Sequence, residues 1–83
     1  MSTRFIDIEA TSHNIKRILE EKGVTPREVQ EALQFDSVQA IYKWMNPKNK
    51  SLPSLDSLVQ LAYFLNCSLE DLLIMKETEI DDD

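Results

Sequence analysis

The sequence predicts an all-α fold, a compact bundle of about five short helices. Three observations carry that expectation. Apolar residues recur at spacings of three and four along most of the chain. Polar capping residues stand ahead of those stretches. No segment alternates with period two, as a half-buried strand would. At 83 residues the chain suits one small domain, with neither an internal repeat nor a linker long enough to divide it.

Helix one is expected from near Asp7 to Lys22, with Ile8, Ile15, Ile18 and Leu19 as its apolar stripe. Gly23, the only glycine, suits the left-handed residue after a helix end. Helix two follows at about Pro26 to Leu33. Thr25 caps it and Glu28 reaches back as a capping box, while Val24 and Val29 take the staple positions. Pro26 falls at the first helical position, where its missing N–H costs nothing. Helix three, about Val38 to Met45, has Ser37 as its expected cap and Ile41 and Trp44 facing inward. Asn46, Pro47, Lys48, Asn49 and Lys50 form a polar loop. Ser54 caps helix four, whose Leu55, Leu58, Leu61, Ala62 and Leu65 repeat at three and four, with Asn66 in its last turn. Ser68 with Asp71 forms a second capping box, Cys67 with Leu72 a staple, and helix five runs through about Met75. The domain is therefore set at residues 1–76. Residues 77–83 carry five acids in seven positions and are expected as an acidic, disordered tail.

Composition narrows the function classes. The chain is 42% hydrophobic and 29% charged, ordinary for a soluble globular protein. No apolar run approaches the roughly 20 residues that span a bilayer, and no signal-peptide pattern opens the chain. A lone cysteine, Cys67, rules out an intramolecular disulfide framework and suits a reducing cytoplasm. One histidine, His13, far from Cys67 in sequence, argues against a metal site, and no cofactor is expected. Nothing supplies a nucleophile–base pair or a phosphate-cradling loop, so the chain is not expected to be an enzyme.

The helix pair around residues 25–45 carries the functional reading. Two short helices across a polar turn, with one apolar seam, form a helix-turn-helix whose second helix is shaped for the major groove of DNA. Gln39 and Lys43 lie one turn apart on one face of helix three. Gln can pair bidentately with adenine, Lys with guanine or phosphate, and Tyr42 can meet sugar or phosphate. Thr25, Arg27 and Ser37 at helix N-termini, with Asn46, Lys48 and Lys50 after helix three, are the phosphate candidates. An ordinary solvated helix face and an ordinary exposed loop would show the same residue types. Trp44 is expected as a core anchor, since it stands three residues from Ile41.

The net charge of −6 runs against DNA, but its distribution does not. Residues 1–50 hold eight Lys/Arg against seven acids, a net of +1; residues 51–83 hold only Lys76 against eight acids, a net of −7. Charges are screened beyond about 8–10 Å at physiological salt, so a local patch outweighs the global sum.

Four stretches are shared with one family. They are Ile15-Lys16-Arg17-Ile18-Leu19-Glu20-Glu21-Lys22-Gly23-Val24-Thr25, Ile41-Tyr42-Lys43-Trp44, Ser51-Leu52-Pro53-Ser54-Leu55-Asp56-Ser57-Leu58, and Asn66-Cys67-Ser68-Leu69-Glu70-Asp71-Leu72-Leu73. Together with Glu28-Val29, they resemble the Cro/repressor, or xenobiotic-response-element, helix-turn-helix regulators of bacteria and phages over about residues 12–74. The resemblance implies a lambda-repressor-like DNA-binding domain and a role in transcription regulation. Departures from the family pattern are Gln30 for Ala, Gln34 for the turn Gly, one additional residue between Gln34 and Ile41, and Asn46-Pro47 for a glycine. If the Gln34 site is left-handed, Gln costs on the order of 1 kcal/mol relative to Gly. The expected function is a sequence-specific repressor that reads a pseudo-palindromic operator in double-stranded DNA as a homodimer. The alternative is a protein-interaction module of antitoxin or anti-repressor type that binds a protein partner through its acidic C-terminal half.

Overall fold

The computed structural model describes residues 1–80. Its elements are β1 (Ser2–Ile6), α1 (Ile8–Lys22), α2 (Pro26–Leu33), α3 (Gln39–Trp44), a 3₁₀ turn (Pro47–Asn49), α4 (Leu55–Leu65), α5 (Leu69–Leu72) and β2 (Met75–Glu79). Local chemistry sets most of these limits. Asp7 accepts from the Ala10 N–H and starts α1; Ser54 accepts from the Ser57 N–H and starts α4. Both expected capping boxes are formed, Thr25 with Glu28 and Ser68 with Asp71. Three helices end on a left-handed residue: Gly23 at φ 68°, Gln34 at φ 60° and Asn66 at φ 55°. In each case the next residue's N–H reaches back to the last turn, as Phe35 N does to Gln30 O at 3.0 Å.

The five helices bury one core in which Ile15, Leu19, Val29, Ile41, Leu61 and Leu72 are almost inaccessible. Trp44 lies in it as expected, edge-on to Phe35 with ring centroids 5.4 Å apart. Ile8 and Leu55, expected on core stripes, are instead exposed. Each stands at the first position of its helix, where the stripe has already left the core.

The all-α expectation needs correction, because β1 and β2 form a two-stranded antiparallel sheet that pairs Ser2 with Glu79 and Ile6 with Met75. All ten of its residues are exposed on both faces, so no hydrophobic alternation marks either strand. The pairing is decided by α1 and the end of α5. Asn14, buried in α1, donates from Nδ2 to the Asp71 and Leu72 carbonyls at 2.7 and 3.0 Å. Thr11 Oγ accepts from the Ile74 N–H at 3.0 Å, and the Asp7 N–H donates to Ile74 O at 2.8 Å. These bonds end α5 at Leu72 rather than Met75 and lay the following chain beside residues 2–6. Residues 77–79, expected in a disordered tail, therefore belong to β2; Asp81, Asp82 and Asp83 lie outside the described residues.

Candidate nucleic-acid interface

The helix-turn-helix is built by α2, the turn and α3. Its turn needs a left-handed residue after α2, and Gln34 supplies it in place of glycine. Gln30 adds a bond from its own side chain, Nε2 donating to Phe35 O at 3.2 Å. The amide at position 30 thus fastens the turn that its backbone carbonyl also closes. The lengthened segment then runs through Asp36 and Ser37 to Val38, which precedes the first residue of α3. Ser37 is exposed and does not cap α3: the N-cap is Val38, in a helical backbone conformation and without a side-chain cap bond. A residue already in helical dihedrals shifts the boundary one position beyond the serine.

Seated by buried Ile41 and Trp44, α3 turns Gln39, Tyr42 and Lys43 to solvent. Gln39 stands in the first turn and Lys43 one turn later, with Tyr42 56% exposed beside them. Lys16 of α1 joins this surface, lining a shallow depression with Tyr42, Met45, Asn46 and Pro47. It is absent from the candidates read off the sequence, because twenty-five residues separate it from Tyr42 and only the α1 packing brings it there.

The phosphate candidates divide by location. Thr25 caps α2, its Oγ accepting from the Glu28 N–H, while Glu28 Oε1 accepts from the Thr25 N–H, both at 3.2 Å. The Glu28 carboxylate therefore occupies the helix end that a phosphate would seek, and Arg27 beside it is the exposed cation there. Asn46 Oδ1 accepts from the Lys48 N–H at 3.0 Å and holds the 3₁₀ turn on which exposed Lys48 rides. Lys50 lies further round, beside Asp7, Glu9 and Lys76 where β1 meets α1. Among the described residues the ion pairs are Arg17–Glu21 and the Met1 ammonium–Glu79. Lys16, Arg27, Lys43 and Lys48 are left without a carboxylate partner within that set.

Both perturbed ionisable groups lie at the start of α5. The Asp71 carboxyl is held below its ordinary pKa by hydrogen bonds from Ser68. Burial, then Asp71, pushes the Cys67 thiol up against an opposing pull from Lys22. Among the described residues no group of three or more His, Cys, Asp or Glu could hold a metal ion, and no helix is long and apolar enough to cross a membrane.

No curated protein and no solved structure matches the chain. Residues 14–78 match the family of Cro/C1-type HTH DNA-binding domains, a span from the middle of α1 into β2 that takes in the whole helix-turn-helix. With most of its length matched and both helices of the unit in place, this chain belongs to the Cro/C1-type helix-turn-helix DNA-binding domain family.

Proposed function

We propose that this protein is a sequence-specific transcriptional repressor of the cytoplasm that inserts α3 into the major groove and binds a pseudo-palindromic operator as a homodimer. One observation carries the reading: in the second helix of a family helix-turn-helix, Gln39, Tyr42 and Lys43 are exposed while Ile41 and Trp44 are buried. Gln39 and Lys43 then read base edges, and Tyr42 meets the backbone. Arg27, Lys48 and Asn46, with Ser37 and Lys50 at the margins of the surface, supply phosphate contacts that carry no sequence information, and Thr25 serves as the cap that places Arg27. The contacts that the side chains of one α3 can make are few for tight binding, so two copies reading half-sites about 34–36 Å apart complete the site. Bound over a promoter, such a dimer excludes polymerase.

Selection of bound duplexes from a random pool at about 100 mM salt tests this, since specific binding persists there. The expected product is a two-fold related pair of half-sites, lost with Gln39→Ala plus Lys43→Ala. A pool that stays random after repeated rounds refutes the reading. The second reading, a protein-interaction module, draws on α4, where Leu55, Val59 and Tyr63 are exposed at spacings of four within the acidic half. That reading requires a partner whose binding survives loss of Gln39 and Lys43 and fails with Val59→Glu.

A further inference from the structure

Strands β1 and β2 pair only with each other among the described residues, and neither packs a face on the helices. A two-stranded ribbon alone is marginal in water; stability comes with three or more strands or with a covering helix. The ribbon nevertheless exposes Phe5, Ile6, Met75 and Ile80. Its ladder shows which backbone groups lie unused. Ile80 N donates to Met1 O at 2.7 Å and Asp7 N to Ile74 O at 2.8 Å, so the odd residues of β1 bond to β2. Ser2, Arg4 and Ile6 therefore turn their N–H and C=O groups to the free edge of β1, and Met75, Glu77 and Glu79 turn theirs to the free edge of β2.

We propose that the free edge of β1 is the dimer seam, pairing antiparallel with β1 of a second copy into one four-stranded sheet ordered β2–β1–β1–β2. This deepens the homodimer in the function proposed above and rests on it only for the number of copies. Joining β1 to β2 of another copy leaves a free β1 edge and a free β2 edge that repeat the same contact into a filament, whereas two-fold pairing uses up both copies of the edge it joins. Charge then separates the two closed arrangements. All three β2–β2 registers centred on an interior residue, Lys76, Glu77 or Thr78, set like charges face to face (Lys76 on Lys76, Glu77 on Glu77, or Glu77 on Glu79), whereas of the three interior β1–β1 registers only the one centred on Arg4 does so. β1 carries one charge, Arg4, already opposite Glu77 of its own chain. Centred on Thr3, two β1 strands set Ser2 against Arg4, Thr3 against Thr3 and Met1 against Phe5. Centred on Phe5, they set Arg4 against Ile6 and stack the two Phe5 rings. Either register exchanges about four backbone hydrogen bonds without a like-charge pair. So short an edge lies at the small end of specific interfaces, which suits a dissociation constant on the order of 10 μM.

Sedimentation equilibrium of the full chain with Arg4→Pro and Glu77→Pro tests the seam. Each substitution removes one outward N–H, spares the β1–β2 ladder and deletes the same Arg4–Glu77 cross-strand pair; Glu77→Pro also loses the exposed Ser2 Oγ–Glu77 Oε1 bond, a handicap that falls on the variant expected to keep dimerising. Glu77→Pro is expected to dimerise like the unaltered chain, and Arg4→Pro at least tenfold more weakly. Equal association of the two variants overturns the proposal. An unaltered chain that stays monomeric at about 100 μM, ten times that dissociation constant, overturns both the seam and the homodimer. A dimer indifferent to Arg4→Pro but lost with Val59→Glu places the contact on α4; the homodimer then stands and the seam falls. Where Arg4→Pro does not fold, oxidation of Thr3→Cys or Phe5→Cys in a Cys67→Ser chain gives the answer. One of those two is expected to cross-link between copies much faster than Thr78→Cys, and equal rates at all three overturn the seam.

Discussion

Replacing Gln34 with glycine is expected to stabilise this protein, against the usual direction of substitutions in a structured segment. Gln34 closes α2 at φ 60° and ψ 41°, a left-handed conformation that brings an L-residue's Cβ against the following carbonyl. That crowding costs roughly 1–2 kcal/mol and vanishes with glycine. Glycine returns part of the gain, about 0.4–1 kcal/mol, through the greater freedom of its unfolded chain. The Gln34 side chain is exposed, so little packing is lost with it. The net expectation is a gain of about 0.5–1 kcal/mol, which in a domain of this size raises Tm by roughly 2–8 °C. Gly23 allows the mirror experiment. It sits at φ 68°, and a Cβ built there meets no atom within 4 Å, so Gly23→Ala isolates the backbone cost without a clash. Thermal unfolding followed by far-UV circular dichroism should move Gln34→Gly up and Gly23→Ala down by similar amounts. A lowered Tm for Gln34→Gly, or shifts of the same sign in both, would refute the assignment of Gln34 as a strained turn residue.

Asn14→Ala removes two hydrogen bonds to the carbonyls that end α5; at about 1 kcal/mol each, it should cost about 2 kcal/mol and lower Tm by roughly 8–16 °C in the same assay. The Asp71 carboxyl has a folded pKa below its ordinary 3.8, so its contribution is complete above that value and is lost as pH falls through the folded one. Asp71→Asn should therefore unfold more easily than the unaltered chain near neutral pH, with the two converging in acid denaturation below that range. In operator titrations across salt, Lys48→Ala should weaken binding evenly over sequences and reduce the salt slope by about one. Gln39→Ala should instead flatten discrimination at one base pair, by about 1–3 kcal/mol, and leave the slope unchanged.

The helical body was legible because its signals are local. A capping box needs residues three apart, and Thr25–Glu28 and Ser68–Asp71 formed as spaced. A core stripe needs one helix period, and Ile15, Ile18, Leu19, Leu58, Leu61 and Leu65 are buried as that period requires. Local signals misled where two of them competed. Ser37 looks like a cap, but the longer turn carried Val38 into helical dihedrals and the helix began after it. The candidate surface was half legible: Gln39, Tyr42 and Lys43 share an exposed helix, but the nearness of Lys16 to Tyr42, and of Lys50 to Asp7 and Glu9, depends on how α1 packs.

What the chain's own residues determined is the set of helices, their caps, and the membership of a DNA-binding family that rests on them. Those follow from contacts within about one turn, which any short stretch of sequence records. The ribbon was decided by tertiary structure alone. Ser2–Ile6 and Met75–Glu79 show no hydrophobic alternation because neither buries a face. Their meeting rests on the packed helical body, through the hydrogen bonds by which Thr11, Asn14 and Asp7 hold residues 71–74. A pairing between the two ends of the chain gains its hydrogen bonds only once the residues between have been ordered, and no local pattern can announce it.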